Sequence, residues 1–232
     1  MTYTRYAVYY VPPEQAAWAN FCAAWLGWDM VSGKTLPQPP VPGDLPLPVS
    51  QLTQTPRKYG LHATLKPPFR LAPGRTVNEL LAATRDLARQ LAPARTETLH
   101  LARLGRFLAL RPTGDESAIN EIAAACVDGL DPFRAAPTHG ELEKRRQAGL
   151  SPRQKANLDR WGYPYVMKDF RFHITLTGRI SGHDLDGVQD ILHDALAPVL
   201  PRPFVVPDIA IAGEDRDGMF HLIERISLAR ET

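Results

Sequence analysis

The chain has 232 residues, of which 44% are hydrophobic and 22% are charged, and its formal net charge is +2. These values are typical of a folded globular protein with one domain or two small lobes, and they exclude a disordered or fibrous chain. A charge this small excludes a strong field that attracts nucleic acid to the whole surface, so an anion site has to be local.

Apolar periodicity and turn residues predict alternating strands and helices. The expected strands cover about 5–11, 59–66, 97–103, 106–112, 170–178, 204–212 and 219–229. The expected helices cover about 14–27, 76–91, 116–128 and 184–198. Seven prolines in residues 36–56 predict an extended surface loop that links elements without packing.

The stretch 134–160 differs in character from its surroundings, since it carries seven lysines and arginines against three acidic residues. Its composition predicts a basic helical insertion that is exposed to solvent. Two interpretations remain open, a solvated surface or a lid that steers anions towards a site.

No apolar run approaches the roughly 18 residues that a membrane span needs. The N-terminus lacks the features of an export signal, so the sequence predicts a cytoplasmic protein that binds no membrane. Cys22 and Cys126 lie in alanine-rich helical patterns. They are expected to be buried apolar groups, because two cysteines are too few for a disulfide framework or a zinc site.

An internal duplication is indicated by the spacing of similar segments. His62 precedes the strand that begins at Phe107 by 45 residues, and His173 precedes the strand that begins at Phe220 by 47 residues. A helix and a strand lie between them in both cases, so we expect a single bilobal domain over residues 1–232 built from two similar halves.

Two segments share one pattern of apolar, His, apolar, Thr, Leu and polar residues. They are Leu61-His62-Ala63-Thr64-Leu65-Lys66 and Phe172-His173-Ile174-Thr175-Leu176-Thr177. Because side chains alternate along a strand, the polar members of each segment are expected to share a face. These polar rows are His62, Thr64 and Lys66 in the first half, and Arg171, His173, Thr175 and Thr177 in the second.

The chemistry of such a pair is acid and base catalysis on a phosphate ester. Histidine titrates near pH 6.5, so His62 and His173 can hold one neutral and one protonated ring. The hydroxyls of Thr64 and Thr175 can donate hydrogen bonds to non-bridging phosphate oxygens. Charge could be added there by the side chains of Lys66 and Arg171. The other five histidines are expected to be structural.

Competing chemistries leave no signature in the sequence. It has no His-Glu-x-x-His zinc motif, no glycine-rich dinucleotide fingerprint and no nucleotide-binding loop ending in Gly-Lys-Ser/Thr. A Gly-x-Ser-x-Gly elbow for a serine nucleophile is also missing. No metal and no cofactor are therefore predicted.

Two His-x-Thr strands in similar halves resemble the 2H phosphoesterase superfamily, which includes RNA 2′,3′-cyclic phosphodiesterases. Three segments, residues 5–10, 62–69 and 161–178, resemble the DUF1045 branch of this superfamily. That branch is usually found beside phosphonate-degradation genes. The resemblance implies an α+β bilobal fold of two antiparallel sheets with outer helices around a central cleft. It also implies metal-independent hydrolysis of a cyclic phosphodiester or related phosphoester.

The substrate is less well defined, because Lys66 and the basic insertion depart from the RNA-processing relatives. A small phosphorylated sugar, such as a cyclic ribose phosphate from phosphonate breakdown, is the leading hypothesis. An RNA end with a 2′,3′-cyclic phosphate is the alternative, with Tyr10, Tyr163 or Tyr165 stacking on bases. A binding module without catalysis is a third hypothesis. Which histidine is the acid, and the oligomeric state, stay open at this point.

Overall fold

A computed structural model describes residues 2–40, 45–147 and 149–229, so residues 41–44 of the predicted loop lie outside the described part. The strands are β1 Arg5–Tyr10, β2 Trp28–Asp29, β3 Lys34–Thr35, β4 Ala63–Phe69, β5 Ala94–Thr96, β6 Thr98–Leu104, β7 Phe107–Thr113, β8 Ile174–Thr175, β9 Phe204–Val206, β10 Asp208–Glu214 and β11 Phe220–Ser227. The helices are α1 Ala17–Leu26, α2 Val49–Leu52, α3 Gln54–Arg57, α4 Val77–Ala88, α5 Ser117–Gly129, α6 His139–Arg146, α7 Pro152–Trp161 and α8 Gly182–Leu196.

Seven strands form one antiparallel sheet in the order β11-β10-β1-β4-β8-β7-β6. The predicted α+β class with antiparallel strands and outer helices is confirmed. The two strands that carry the His-x-Thr segments, β4 and β8, are neighbours at its centre, where Ala63 lies opposite Ile174. This contact joins the strands of the two halves into one continuous sheet.

The hairpins of the two halves are exchanged around this central pair. The β6–β7 hairpin follows β4 in the chain but pairs with β8, with Ala109 opposite Thr175. The β10–β11 hairpin follows β8 but pairs with β1, which in turn pairs with β4. Each histidine strand is therefore supported by elements of both halves, and the division into two lobes stays a prediction.

The two faces of the sheet have different cover. One face packs on the main hydrophobic core, which contains Val8, Leu65 and Ile174 together with side chains of α1, α4, α5 and α8. On β1 the alternate residues Ala7 and Tyr9 belong to a smaller cluster on the other face. Because alternation continues across the sheet, His62 and Thr64 lie on this second face, away from the main core.

The strand β8 is shorter than predicted because its flanking backbone bonds elsewhere. The amide N–H groups of Leu176 and Thr177 both donate to the Leu108 carbonyl, at 2.9 and 3.3 Å. The indole N–H of Trp25 on α1 donates to the Leu176 carbonyl at 2.9 Å. These bonds replace the regular ladder and fix the chain just after the second histidine segment.

The prediction of a loop without packing is wrong for residues 49–57, which form the short helices α2 and α3. Leu52 is 2% exposed, so its apolar side chain holds this stretch in the core. The high proline content of the stretch had suggested that nothing in it packs. Gly178 donates its N–H to the Leu52 carbonyl at 2.6 Å. The stretch therefore packs against the chain that follows β8.

Two further expectations concern the cysteines and the membrane. Cys22 and Cys126 are buried free thiols, as predicted. No helix in the described part of the chain combines the length and apolar character that a membrane span needs.

Candidate active site

His62 lies immediately before β4 with its ring partly buried. The ring packs against Tyr9, with 4.0 Å between ring centroids, and lies 5.8 Å from the ring of Tyr59. Its Nδ1–H donates to the Gly60 carbonyl at 3.0 Å. This bond selects the neutral tautomer in which Nε2 is an acceptor, and the Thr64 hydroxyl donates to Nε2 at 3.2 Å.

His173 repeats this arrangement in the second half. Its Nδ1–H donates to the Arg171 carbonyl at 2.8 Å, again two residues before the histidine. The ring lies 6.0 Å from that of Phe107 on β7. Both histidines therefore adopt the same neutral tautomer, in which Nε2 is the nitrogen that can accept a proton.

The pairing of β4 with β8 brings the two segments together. Ala63 lies opposite Ile174 in an antiparallel register, and both side chains point to the main core. One residue to either side, this register places His62 opposite Thr175 and Thr64 opposite His173, on the other face. Opposite side chains in such pairs are about 5 Å apart at Cβ. The four residues predicted to be catalytic thus form one patch on the sheet.

The electrostatics of the patch favour neutral imidazoles. The pKa of His62 is lowered to about 4, mainly by burial, with a smaller contribution from the positive charge of a protonated His173, while the bond to Gly60 opposes the shift. Burial also lowers the pKa of His173, with a contribution from Arg111. A bound phosphate anion would reverse this balance, because a nearby negative charge favours the protonated ring.

A cavity of about 350 Å³ opens over this patch. Its size is at the lower end of the range of roughly 300–1,000 Å³ that is typical of small-molecule sites. The residues that line it are Arg5, Tyr9, Thr55, Pro56, Tyr59, His62, Thr64, Pro67, Pro68, Phe107, Arg145, Tyr163, Thr175, Thr177, Gly178 and Arg179. His173 is not part of the lining, but its neighbours Phe107 and Thr175 are.

Lys66 does not reach the cavity, contrary to the prediction from alternation. The register between β1 and β4 shifts between the pairs Tyr9–Thr64 and Val8–Lys66, so Leu65 is an extra residue on β4. This bulge turns Lys66 into the protein, where it is 2% exposed. Its Nζ donates to the Val127 carbonyl at 2.8 Å.

Two other predicted binding residues also lie elsewhere. Arg171 is exposed, and its Nη1 donates to the backbone carbonyl of Phe170 at 2.8 Å. Tyr10 is 2% exposed and packs in the main core against Phe172 and Phe204, because it is on the opposite face of β1 from Tyr9. Neither side chain contributes to the lining of the cavity.

Thr177 and Tyr163 do line the cavity, with different roles. The Thr177 hydroxyl is 1% exposed and accepts a hydrogen bond from the Leu108 N–H at 3.0 Å, so it holds β7 against the chain after β8. Tyr163 is partly exposed, and its ring lies 4.7 Å from the guanidinium carbon of Arg145. Tyr165 packs edge-on against Tyr163 but is 44% exposed and outside the lining.

Several lining residues were missed by the sequence reasoning, above all Arg5, Tyr9, Tyr59 and Arg145. Arg5 and Tyr9 share a face of β1, but only the pairing of β1 with β4 shows that this face is next to Thr64. Arg145 belongs to α6 in the basic insertion. The interpretation of that insertion as a lid was the one indication that a residue of it could line the site.

Other histidines of the chain lie outside this patch. The Nε2 of His221 is 2.7 Å from Asp215, and His100 and His193 are exposed. Within the described residues, no group of three or more histidine, cysteine or carboxylate side chains is arranged to hold a metal ion.

Comparison with known proteins gives a family model and two curated relatives. The model, described as a protein of unknown function (DUF1045), matches residues 64–221. Both relatives are named ribose 1,5-bisphosphate phosphokinase PhnN. That of Janthinobacterium sp. (strain Marseille) is 38% identical, over 93% of this chain and 48% of the relative. That of Laribacter hongkongensis (strain HLHK9) is 36% identical, over 78% of this chain and 42% of the relative.

Two solved structures are also similar to the chain. TT0787 of Thermus thermophilus has a TM-score of 0.49 and 20% identity, with 98% of this chain and 100% of that chain covered. E. coli LigT complexed with 3'-AMP has a TM-score of 0.45 and 13% identity, with 99% and 100% covered. The chain spans about half the length of the curated relatives. The family model matches more than half of the chain, and the protein therefore belongs to the DUF1045 family.

Proposed function

We propose that the protein is a metal-independent phosphoesterase that hydrolyses a cyclic phosphodiester of a small phosphorylated sugar. The observation that carries this proposal is the register of β4 and β8, which sets two His-x-Thr segments side by side on the face that bears the cavity. Two imidazoles and two hydroxyls around one phosphorus atom supply a base, an acid and two donors for phosphate oxygens.

The proposed reaction is an attack of water on phosphorus. As the new phosphorus–oxygen bond forms, one histidine Nε2 takes a proton from the water. The bond to the ring ester oxygen breaks, and the other histidine Nε2 delivers its proton to that oxygen. Thr64 and Thr175 donate to the non-bridging oxygens, and this requires the Thr64 hydroxyl to leave the His62 Nε2 that it contacts at 3.2 Å.

We assign the base to His62 and the acid to His173. His62 has the ring whose pKa falls to about 4, so it is neutral over almost the whole working range. A neutral Nε2 is what a base requires. His173 also has a lowered pKa, but the negative charge of a bound phosphodiester can return a proton to it.

A small substrate is supported by the volume of the cavity and by the arginines in its lining. The relatives' name refers to a sugar with two phosphates, ribose 1,5-bisphosphate, which places them in related chemistry. Their kinase activity would need a nucleotide site, and this chain has no nucleotide-binding loop ending in Gly-Lys-Ser/Thr. We therefore assign the named kinase activity to the half of those proteins that this chain does not match, and a role in phosphonate degradation to this half.

Hydrolysis of RNA 2′,3′-cyclic phosphate ends is the second candidate. It is favoured by the rings of Tyr59 and Tyr163 in the lining, since exposed aromatic faces can stack on bases. Tyr10, which was expected to take part, is buried in the core. The candidate therefore depends on two of the tyrosines rather than on a continuous aromatic platform.

The test is a substrate panel in the presence of a chelator. Ribose cyclic phosphates, nucleoside 2′,3′-cyclic phosphates and an oligonucleotide with a 2′,3′-cyclic end are compared, and ribose 1,5-bisphosphate with ATP is included as a kinase assay. We expect chelator-resistant hydrolysis of the small sugar phosphate, with loss of activity in His62→Gln and His173→Gln. His100→Gln, an exposed histidine on β6, is the matched control. Turnover that needs added metal, or that survives both substitutions, would reject the proposal.

A further inference from the structure

The cavity has a second polar end, separate from the histidine patch. It is formed where Pro67 and Pro68 continue β4 beyond Thr64 and where Arg5 begins β1. Pro67 lies three residue steps beyond Thr64, which corresponds to at most about 10 Å at roughly 3.3 Å per residue, since the bulge at Leu65 shortens the strand. A smaller pocket adjoins this end and shares Arg5, Pro68 and Arg145 with the cavity.

Arg145 carries a positive charge that no carboxylate neutralises within the described part of the chain. Among the described residues no carboxylate forms an ion pair with it, and its guanidinium lies over the ring of Tyr163. The next residue on α6, Arg146, pairs instead with Glu143 and Asp159. On this helix, Arg146, which is outside the lining, has carboxylate partners, whereas Arg145 in the lining has none among the described residues.

The position of Arg145 is fixed by contacts at both ends of the insertion. Glu141 on α6 makes a bidentate ion pair with Arg70, which follows β4, at 2.8 and 3.0 Å. Gly162 ends α7 in the left-handed conformation, with φ 69°, and a side chain there would meet the guanidinium of Arg134. Tyr163 follows this turn directly. The aromatic support for Arg145 is therefore part of the fold rather than a flexible surface contact.

Tyr9 adds an unsatisfied donor between the histidine patch and this end, since its ring packs against His62. The residue is 0% exposed, and its hydroxyl has no hydrogen-bond partner within the described residues. Burial raises the pKa of this phenol well above its usual value, so it stays a proton donor. The hydroxyl is close enough to Arg5, Tyr59 and Tyr163 for their charges to affect it. An unpaired buried hydroxyl destabilises the protein, and a ligand oxygen that accepts its hydrogen bond would remove that penalty.

Arg5 completes this group. Its Nε and Nη2 both donate to Glu214, which leaves Nη1 without a partner in the described part of the chain. The Glu214 carboxylate balances the charge of Arg5, so Arg145 supplies the net positive charge of this end. Two guanidinium groups and a free phenol supply hydrogen-bond donors for a phosphate monoester, and the charge of Arg145 attracts the anion.

We propose that Arg145, Arg5 and Tyr9 form a second anion subsite, which binds a phosphate of the substrate that is not hydrolysed. This inference rests on the proposed function and makes it more specific. The substrate is then a sugar that has a cyclic phosphodiester at one end and a phosphate monoester at the other. The separation of about 10 Å along β4, shortened by the reach of the arginines, suits a five-carbon sugar.

The experiment compares a ribose cyclic phosphodiester that carries a free 5-phosphate with the same compound that has a 5-hydroxyl. A charge-assisted hydrogen bond contributes about 1.5–3 kcal/mol, so the wild type should prefer the phosphorylated compound in kcat/KM by about 10-fold or more. Arg145→Gln should lower this preference at least about tenfold, and Tyr9→Phe, which keeps the ring against His62, by about 3- to 10-fold. Arg146→Gln is the matched control and should keep the wild-type preference.

A binding measurement separates this proposal from the proposed function. Ribose 5-phosphate and ribose are titrated into the wild type and Arg145→Gln by calorimetry. Tighter binding of the phosphate that depends on Arg145 supports the subsite, even if no cyclic phosphate is hydrolysed. Histidine-dependent hydrolysis without a preference for the 5-phosphate, together with equal binding of both sugars, overturns the subsite and leaves the proposed phosphoesterase in place.

Discussion

The two His-x-Thr segments share a sequence pattern but lie in different surroundings. Each strand has a neighbour on both sides, but β4 has seven residues, whereas β8 has two. The ring of His62 is packed against Tyr9 and contacted by Thr64. The ring of His173 has a more distant aromatic neighbour, at 6.0 Å, and no partner for Nε2 among the described residues. Burial lowers the pKa of both rings, to about 4 for His62.

The proposed roles of base and acid depend on such a difference between the two rings. Acid and base catalysis needs two groups whose environments make them unequal. Here the tautomer is common to both rings, because each Nδ1 bonds the carbonyl two residues earlier. The difference comes from a neighbour outside the motif, since Tyr9 packs against the His62 ring and adds to the burial that is the main cause of its lowered pKa. Burial and Arg111 lower the pKa of His173 as well.

The largest expected effect is the loss of either imidazole. His62→Gln and His173→Gln should each lower kcat by about 10²- to 10⁴-fold, the usual contribution of proton transfer. If the rings act as one pair, the double variant should be little worse than either single variant. Steady-state rates of the three variants measure this. Losses that simply multiply would show that the two residues do not act on the same phosphate.

The threonines should distinguish the two halves at a smaller scale. Thr64→Val removes a phosphate donor and also the hydroxyl that contacts Nε2 of His62, whereas Thr175 makes no such contact. Removing a donor to a developing oxyanion costs about 10²-fold or more. We expect both variants to lose kcat, and only Thr64→Val to raise the pKa of His62. Rates and an NMR titration of the ring provide the measurement, and equal pKa values in both variants would contradict it.

The sequence was sufficient for the longer strands and helices and for the position of the two histidine segments, because apolar periodicity decides them, but it did not predict the short helices α2 and α3 or the short length of β8. It could not predict the neighbours of those strands, since the pairing of β1 with β4 depends on contacts between residues far apart in the chain. Tyr9 was therefore missed. Lys66 was misplaced for another reason, because a single extra residue at Leu65 reverses the alternation and nothing in the local sequence marks it. Arg145 was visible only as part of a basic stretch.

Lys66 and Thr177 occupy matching positions in the two segments, and both have structural contacts. Lys66 donates to the Val127 carbonyl from a site that is 2% exposed, and Thr177 accepts from the Leu108 N–H. Lys66→Met keeps most of the volume but removes the charged donor. We expect a loss of about 1.5–3 kcal/mol in the free energy of unfolding, with KM unchanged. Denaturant titration and kinetics measure this. A raised KM with unchanged stability would show that Lys66 takes part in substrate binding.

The smallest effect concerns the pH profile, which tests the assignment of base and acid. The value of kcat/KM reports the free enzyme. His62 must be neutral as the base, so the rate should rise as the pH increases through about 4. His173 must be protonated as the acid, so the rate should fall as the pH increases through a value below 6.5.

Tyr9→Leu admits water to His62 and weakens the burial that lowers its pKa. The acid limb of the profile should therefore move to higher pH, while the alkaline limb stays in place. Movement of the alkaline limb alone would exchange the roles of the two histidines.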